Sequence, residues 1–194
     1  EIEGELKYAV RRQEETIYYK RLRMANPEMS RFKDLILYNL EAGEAVLADN
    51  NDIRVYTDGK EKFRALIEEM KQAKRYIHMQ YYIIRNDELW QEVEKVLIQK
   101  AREGVEVRVL FDSMGCRTMK NRDWERLEKE GIQVAEFFPA LLGQLQLRVN
   151  YRNHRKIVVI DGRVGFVGGF NVGREYLGRD KKFGYWRDTH LCIE

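Results

Sequence analysis

Apolar residues recur at two spacings along this chain. Over EKFRALIEEMKQA, Phe63, Leu66, Ile67 and Met70 fall three or four apart, the stripe of an amphipathic helix. The pattern predicts two more helices. One is DELWQEVEKVLIQKAREG, with Asp87 as its cap and Gly104 as its stop, and the other is NRDWERLEKEG. Between the helices lie short runs that read as strands: IRVYTDG, YIHMQYYII (76–84), VEVRVLFD (105–112) and IQVAEFF (132–138). KIVVID and VGFVGG make two further strands across an Asp-Gly turn, and THLCIE makes a last one. Strands alternating with helices of this length predict right-handed βαβ crossovers. The expected class is α/β, with a mixed, largely parallel sheet to which the late hairpin adds an antiparallel part.

The N-terminal stretch reads differently. Residues 1–30 are highly charged (RRQEETIYYKRLRM) and lack a strong apolar stripe, so they are expected to be helical and to act as a linker. SRFKDLILYNLEAG follows as a helix, with Ser30 as N-cap and Gly43 as stop. Hydrophobic residues make up 44% and charged ones 35%, with two prolines, which is a globular mixture and not a disordered one. No run approaches the roughly 18 apolar residues that cross a bilayer, so the piece itself is expected to be soluble. It begins at Glu1 without a methionine and stops on an apparent strand, so both ends are read as cut from something longer. Cys116 and Cys192 form no CxxC and are expected to be free thiols in a reducing compartment.

Candidate chemistry concentrates in NHRKIVVIDGRVGFVGGFN, residues 153–171. Asp161-Gly162 is a hairpin signal between two β-branched runs. A two-residue turn there places Ile160 against Arg163 and His154 against Gly169. A slip of one place puts His154 against Asn171 and Lys156 against Gly169. Either register gathers Gly168, Gly169 and Asn171 beside His154 and Lys156, which point to one side of their strand. The glycines are expected to leave room for a ligand to reach the backbone. An imidazole, an ammonium and a side-chain amide around open space make a phosphate site with a nucleophile in it. Arg148, Arg152, Arg155 and Lys156 surround His154 with no acid among them, and Arg152 is expected to help bind the substrate.

Other features bound the reading. The net charge of +3 is too small to argue for nucleic acid. His78 and His190 are expected to be structural, and with three scattered histidines no metal and no cofactor is expected. There is no P-loop, GxSxG or GxGxxG after a strand. Asp112 ends a strand, where it either faces a site or caps the loop DSMGCRT. FFPALLGQLQL (137–147) reads as a buried strand end and core loop, or as an apolar lip for acyl chains.

HRKIVVID followed by GGFN resembles the HKD motif of the phospholipase D superfamily. The longer run NYRNHRKIVVIDGRVGFVGGFNVGREYLG, with YWRDTHLCIE after it, resembles the bacterial cardiolipin synthases. The likeness covers residues 50–194 and is most specific around 150–190. It implies a phospholipase D-like α/β/α sandwich over residues 46–194, preceded by a charged linker over 1–45 that follows a membrane anchor. It implies that His154 attacks a phosphodiester and forms a phosphohistidine, with Lys156 and Asn171 on the phosphate oxygens. Asp161 belongs to the family motif but by strand parity is expected to hold the hairpin. Asp188 is expected either to orient His154 or to pair with Arg187. The implied partners are phosphatidylglycerol, an anionic membrane surface on the cytoplasmic side, and a second HKD half in the same chain or a second copy, with no nucleic acid. The alternative is a homodimeric single-motif phosphodiesterase or nuclease.

Overall fold

Two aspartates set the helix starts that organise the sheet. Asp58 Oδ1 accepts the N–H groups of Lys60 and Glu61, and Asp87 Oδ1 accepts those of Leu89 and Trp90. Each thereby satisfies donors that a helix start leaves open. The structure is a computed structural model and describes residues 2–18, 27–48, 50–137 and 152–194. The chain divides into two units, Glu1–Asn51 and Asp52–Glu194.

The first unit contains α1 (Ile2–Tyr18), a 3₁₀ turn over Pro27–Phe32 and α2 (Lys33–Gly43). Its small core is Val10, Ile36 and Leu40, with Met29, Leu37 and Leu47 packed against it. Gln13 holds the Leu47 backbone at both its N–H and its carbonyl, at 2.6 and 2.8 Å. Ser30 does not cap α2, because it lies inside the 3₁₀ turn that carries the chain on to Lys33. Gly43 is the last helical residue, and Glu44, at φ 50°, ends the helix.

The second unit runs β1 (Ile53–Asp58), α3 (Gly59–Gln72), β2 (Tyr76–Tyr81), α4 (Glu88–Arg102), β3 (Glu106–Asp112), α5 (Asn121–Lys129) and β4 (Gln133–Phe137). Then come β5 (Lys156–Ile160), β6 (Val164–Gly168) and β7 (Arg187–Ile193). Among the described residues, one sheet holds these seven strands in the order β1-β7-β6-β5-β2-β3-β4. Among the described strands, β2–β3 and β3–β4 pair in parallel and the other four pairings are antiparallel. The sheet is mixed as expected, but it is not largely parallel. The reason is that β5, β6 and β7 insert between β1 and β2, so the crossover through α3 does not end beside the strand it left.

All three crossovers step the same way along the sheet, so right-handedness puts α3, α4 and α5 on one face. Alternate strand residues meet them there. Ile77, Met79 and Tyr81 of β2, Val107, Val109 and Phe111 of β3, and Val158 and Ile160 of β5 share one core with Leu66, Trp90 and Leu127. The other face stays open among the described residues, with Val55 61% and Val167 39% exposed. A trough of about 500 Å³ lies on it, lined by His78, Arg108, Ile157 and Val159. The second helical layer of the expected sandwich is therefore absent from the described residues of this unit.

The hairpin follows neither expected register. Asp161 and Gly162 both take positive φ, 57° and 70°, and the Arg163 N–H bonds the Ile160 carbonyl at 3.0 Å, as a tight turn requires. The ladder then pairs Ile160 with Val164, so Arg163 bulges out and the offset falls between the two predicted values. One more step along the ladder brings Lys156 across from Gly168.

Candidate active site

The carboxyl ends of β2 and β3, the start of β5 and the end of β6 all lie at one edge of the sheet, because β5 runs against β2 and β6 against β5. Open α/β sheets gather ligands at such an edge. His154 stands there just before β5 and is exposed, while Lys156, the first residue of β5, is 3% exposed. The Lys156 Nζ lies 2.8 Å from His154 Nδ1 and also donates to the His154 carbonyl at 2.7 Å. The Tyr82 ring, just past β2, packs 4.5 Å from the imidazole.

Charge follows from this packing. Burial and the neighbouring Lys156 cation lower the His154 pKa, partly offset by Asp112. The imidazole is therefore neutral at pH 7, the state a nucleophile needs. Burial pushes the Lys156 pKa down to about 8, against which the Asp188 carboxylate pulls upward. No hydrogen bond joins Asp188 to His154. The Asp188 Oδ1 accepts the Thr189 N–H at 2.7 Å, and its carboxylate acts electrostatically on Lys156 and on Tyr176, raising both pKa values.

The other predicted residues fall into place as follows. Asn171 is 4% exposed, and its Oδ1 accepts the Ile83 N–H at 3.0 Å while its Nδ2 donates to the Tyr176 hydroxyl at 2.9 Å. One amide hydrogen is left for another acceptor. Arg152 does not wave in solvent, since its Nη1 donates to Ser113 Oγ at 3.3 Å and lies 3.7 Å from Asp112 Oδ1. Arg155 is exposed, and Arg148 lies outside the described residues, as does the apolar segment beyond Phe137. At the far end of the hairpin, the Asp161 carboxylate accepts three backbone N–H groups, from Lys74, Arg75 and Tyr76, at 2.8, 2.7 and 2.9 Å.

The glycine pair makes room for β7 and not for an open approach. A Cβ on Gly168 would overlap Thr189 and His190, and one on Gly169 would overlap the Asp188 carboxylate. His190 is fully buried, and neither ring nitrogen has a hydrogen-bond partner among the described residues. Burial, then the positive charges of Lys62 and Lys156, push its pKa down to about 2, so it is a neutral wall of the site. Lys62, also fully buried, donates to the Tyr81 hydroxyl at 2.6 Å. His78 is a surface residue of the open face, 2.6 Å from Glu106.

Two contributors were not readable from the motif. Asp112, 1% exposed, accepts the Met114 N–H at 2.9 Å with Oδ1 and the Asn153 N–H at 3.0 Å with Oδ2. It both caps its own loop and fixes the residue before His154. An acid at the carboxyl end of a parallel strand was the available signal. Tyr82 had none beyond its place one residue past β2. Among the described residues, no group of three or more His, Cys, Asp or Glu side chains is placed to hold a metal. What the geometry offers is a neutral imidazole held beside an ammonium, which suits an anionic tetrahedral group.

Residues 66–183 match the family described as cardiolipin synthase, PLD-like domain. The chain is 50% identical over 167 residues to the cardiolipin synthase of Oceanobacillus iheyensis, a match covering 86% of this chain and 35% of that protein. It is 51% identical over 162 residues to the major cardiolipin synthase of Bacillus subtilis, covering 84% and 34%. The chain thus spans about a third of the length of the curated relatives it matches. Among solved structures, a phosphatidylserine synthase from Haemophilus influenzae superposes with a TM-score of 0.57 at 20% identity, over 73% of this chain and 32% of that one. NucT from Helicobacter pylori superposes with a TM-score of 0.55 at 16% identity, over 74% and 86%. These two likenesses concern the fold alone.

Proposed function

The chain belongs to the family of cardiolipin synthase, PLD-like domains, and from that premise we propose that it carries the nucleophile of a phospholipid phosphatidyltransferase. His154 attacks the phosphorus of phosphatidylglycerol. A nitrogen–phosphorus bond forms as the bond to the glycerol oxygen breaks, and glycerol leaves with a proton. The hydroxyl of a second phosphatidylglycerol then attacks the phosphohistidine, giving cardiolipin and freeing the imidazole. The observation that carries this reading is the Lys156 ammonium 2.8 Å from a neutral His154.

In that resting contact the ammonium donates to Nδ1, which leaves the ring proton on Nε2. Phosphate oxygens are stronger acceptors, and drawing Lys156 onto them frees the ring to exchange its proton and attack. The same ammonium then balances the charge that builds on those oxygens. Asp188 acts through Lys156, keeping it charged. Asn171 spends most of its amide on Ile83 and Tyr176, and offers its remaining hydrogen to the phosphate. Asp112 and Arg152 position His154, and Asp161 acts only on the scaffold. The chain holds one such motif, so the acid that protonates the leaving glycerol comes from the remainder of the longer protein or from a second copy. That longer protein works at the membrane, on its cytoplasmic side. No helix among the described residues is long and apolar enough to cross a membrane. The transferase stands ahead of a homodimeric hydrolase because the relatives about half identical are named cardiolipin synthases.

The test is to incubate the full-length protein with short-chain phosphatidylglycerol, quench it with alkali, which preserves phosphohistidine, and map the adduct by mass spectrometry. A phosphatidyl group on His154 that disappears in His154→Ala is the expected result. A full-length protein that makes cardiolipin without ever labelling His154 would end the proposal.

A further inference from the structure

The nine residues GRDKKFGYW, 178–186, form an exposed loop that runs from the 3₁₀ turn at Arg174–Leu177 into Arg187, the first residue of β7. Two large aromatic side chains sit on its outside, Phe183 at 51% and Tyr185 at 69% exposure. The Phe183 ring is held in place by a neighbouring indole. Trp186 packs edge-on against Phe183 at 5.7 Å and against Tyr176 at 5.0 Å, and Tyr176 accepts the hydrogen bond from Asn171. The loop tip is therefore braced against the site itself.

Its charge is one-sided. Arg179, Lys181, Lys182 and Arg187 are all exposed. The single acid, Asp180, is turned inward: its carboxylate accepts the Lys182 N–H at 2.9 Å and lies 3.5 Å from Arg174. Its carbonyl accepts the N–H groups of Phe183 and Gly184, and Gly184 takes φ 64° to close the turn. Folding thus spends the loop's only negative charge on its own geometry and leaves four cations around two aromatic rings. A surface of that kind matches a partner whose outer layer is anionic and whose next layer is apolar, which is the interface of a bilayer containing acidic lipids.

We propose that this loop is where the catalytic edge of the sheet docks onto an anionic lipid bilayer, Phe183 and Tyr185 entering the interface while the cations meet headgroups. The proposal rests on the phospholipid transferase reading and adds to it the place of contact. It also brings the membrane to the site, because the loop runs directly into Asp188 on β7.

The experiment is vesicle flotation of the 194-residue chain with equal parts phosphatidylglycerol and phosphatidylcholine, against phosphatidylcholine alone. Binding to the acidic vesicles is expected. Loss of each aromatic ring in Phe183→Ser or Tyr185→Ser should weaken it about tenfold. Loss of each charge in Lys181→Gln or Lys182→Gln should weaken it about fivefold. A second readout needs no change to the loop tip: brominated lipids should quench the fluorescence of Trp186, and Trp186→Phe should abolish that quenching, since Trp90 and Trp124 are buried. Undiminished vesicle binding by the double aromatic variant, or no quenching on bound vesicles, overturns the proposal. So does a loop whose variants lose affinity for single-stranded DNA but not for vesicles. The loop variants keep the ability to form the His154 adduct with monomeric short-chain phosphatidylglycerol. Loss of vesicle binding with the adduct intact therefore concerns the loop, and absence of the adduct in every variant concerns the transferase reading.

Discussion

The two ends of the β5–β6 hairpin carry polar residues from the same short motif, and they use them in opposite ways. At the turn, Asp161 has given its oxygens to three backbone N–H groups of the α3–β2 connection. At the open end, His154 is exposed and its ring nitrogen touches only a neighbouring ammonium that a better acceptor can draw away. A polar side chain whose capacity is spent on the protein is scaffold, and one left with capacity facing solvent is available for chemistry. Spacing in the sequence does not separate the two cases, but hydrogen-bond accounting does.

Exchanging the two residues' fates would break the comparison, and the largest effect is expected from removing His154. His154→Ala should reduce adduct formation to background while changing stability by less than about 1 kcal/mol, because the side chain is exposed and Lys156 keeps the His154 carbonyl as an acceptor when the ring is lost. Adduct yield and urea unfolding measured on one preparation check this. A variant that unfolds would show that His154 is scaffold as well.

Asp161→Ala should do the reverse. Three backbone donors lose their acceptor, at a cost of about 1–3 kcal/mol in urea unfolding because water reaches the exposed Lys74 and Arg75 N–H groups, with Asp161→Asn recovering part of it. Adduct yield per folded molecule should stay at the wild-type level. A fall in yield for a fully folded Asp161→Asn protein would place the aspartate in the chemistry after all.

Gly165 within β6 and Gly169 just past its end sharpen the contrast. A methyl group on Gly169 would overlap the Asp188 carboxylate, whereas one on Gly165 would meet nothing within 4 Å. Gly169→Ala should cost about 1–3 kcal/mol through displaced neighbours, and Gly165→Ala should leave the melting temperature almost unmoved. Equal losses at both positions would mean that backbone freedom, and not the packing of β7, explains the glycines.

Most of the fold was legible because its signals are local. The apolar pattern located α3, α4 and α5, and Asp87 caps α4 as its position suggested. The Asp-Gly turn was visible too. Its register was not, because the bulge at Arg163 follows from how β6 settles between β5 and β7. The same gap explains the glycines: only the strand order shows that Asp188 and His190 fill the space beside them. His154 and Lys156 were readable from spacing alone, since residues two apart on an extended chain share a side. Asp112 was marked by its place at the end of β3, but its bond to Asn153, like the packing of Tyr82 on His154, exists only once the sheet is assembled.

The smallest effects are those of pH, and they divide the two ends most finely. Burial by itself raises the Asp161 pKa, but the N–H groups of Tyr76, Lys74 and Arg75 together with the Arg75 charge outweigh it, so the net shift is downward. The stability it gives is therefore complete above the unfolded value of about 3.9 and is lost as pH falls through the lower folded value. The unfolding free energies of wild type and Asp161→Asn should differ by a constant amount above about pH 5 and converge as pH falls below it. The other end responds in a different window. Adduct formation needs neutral His154, whose pKa lies below 6.5, and charged Lys156, whose pKa is about 8. The rate should climb to a plateau by pH 7 and drop to about half near pH 8. Lys156→Arg keeps its charge at high pH, so it should lower the plateau but remove the alkaline fall. Asp161→Asn should leave both limbs where they are. An alkaline limb that survives in Lys156→Arg would mean that a group other than Lys156 supplies the cation, and the resting contact with His154 would then be a packing feature and not part of the chemistry.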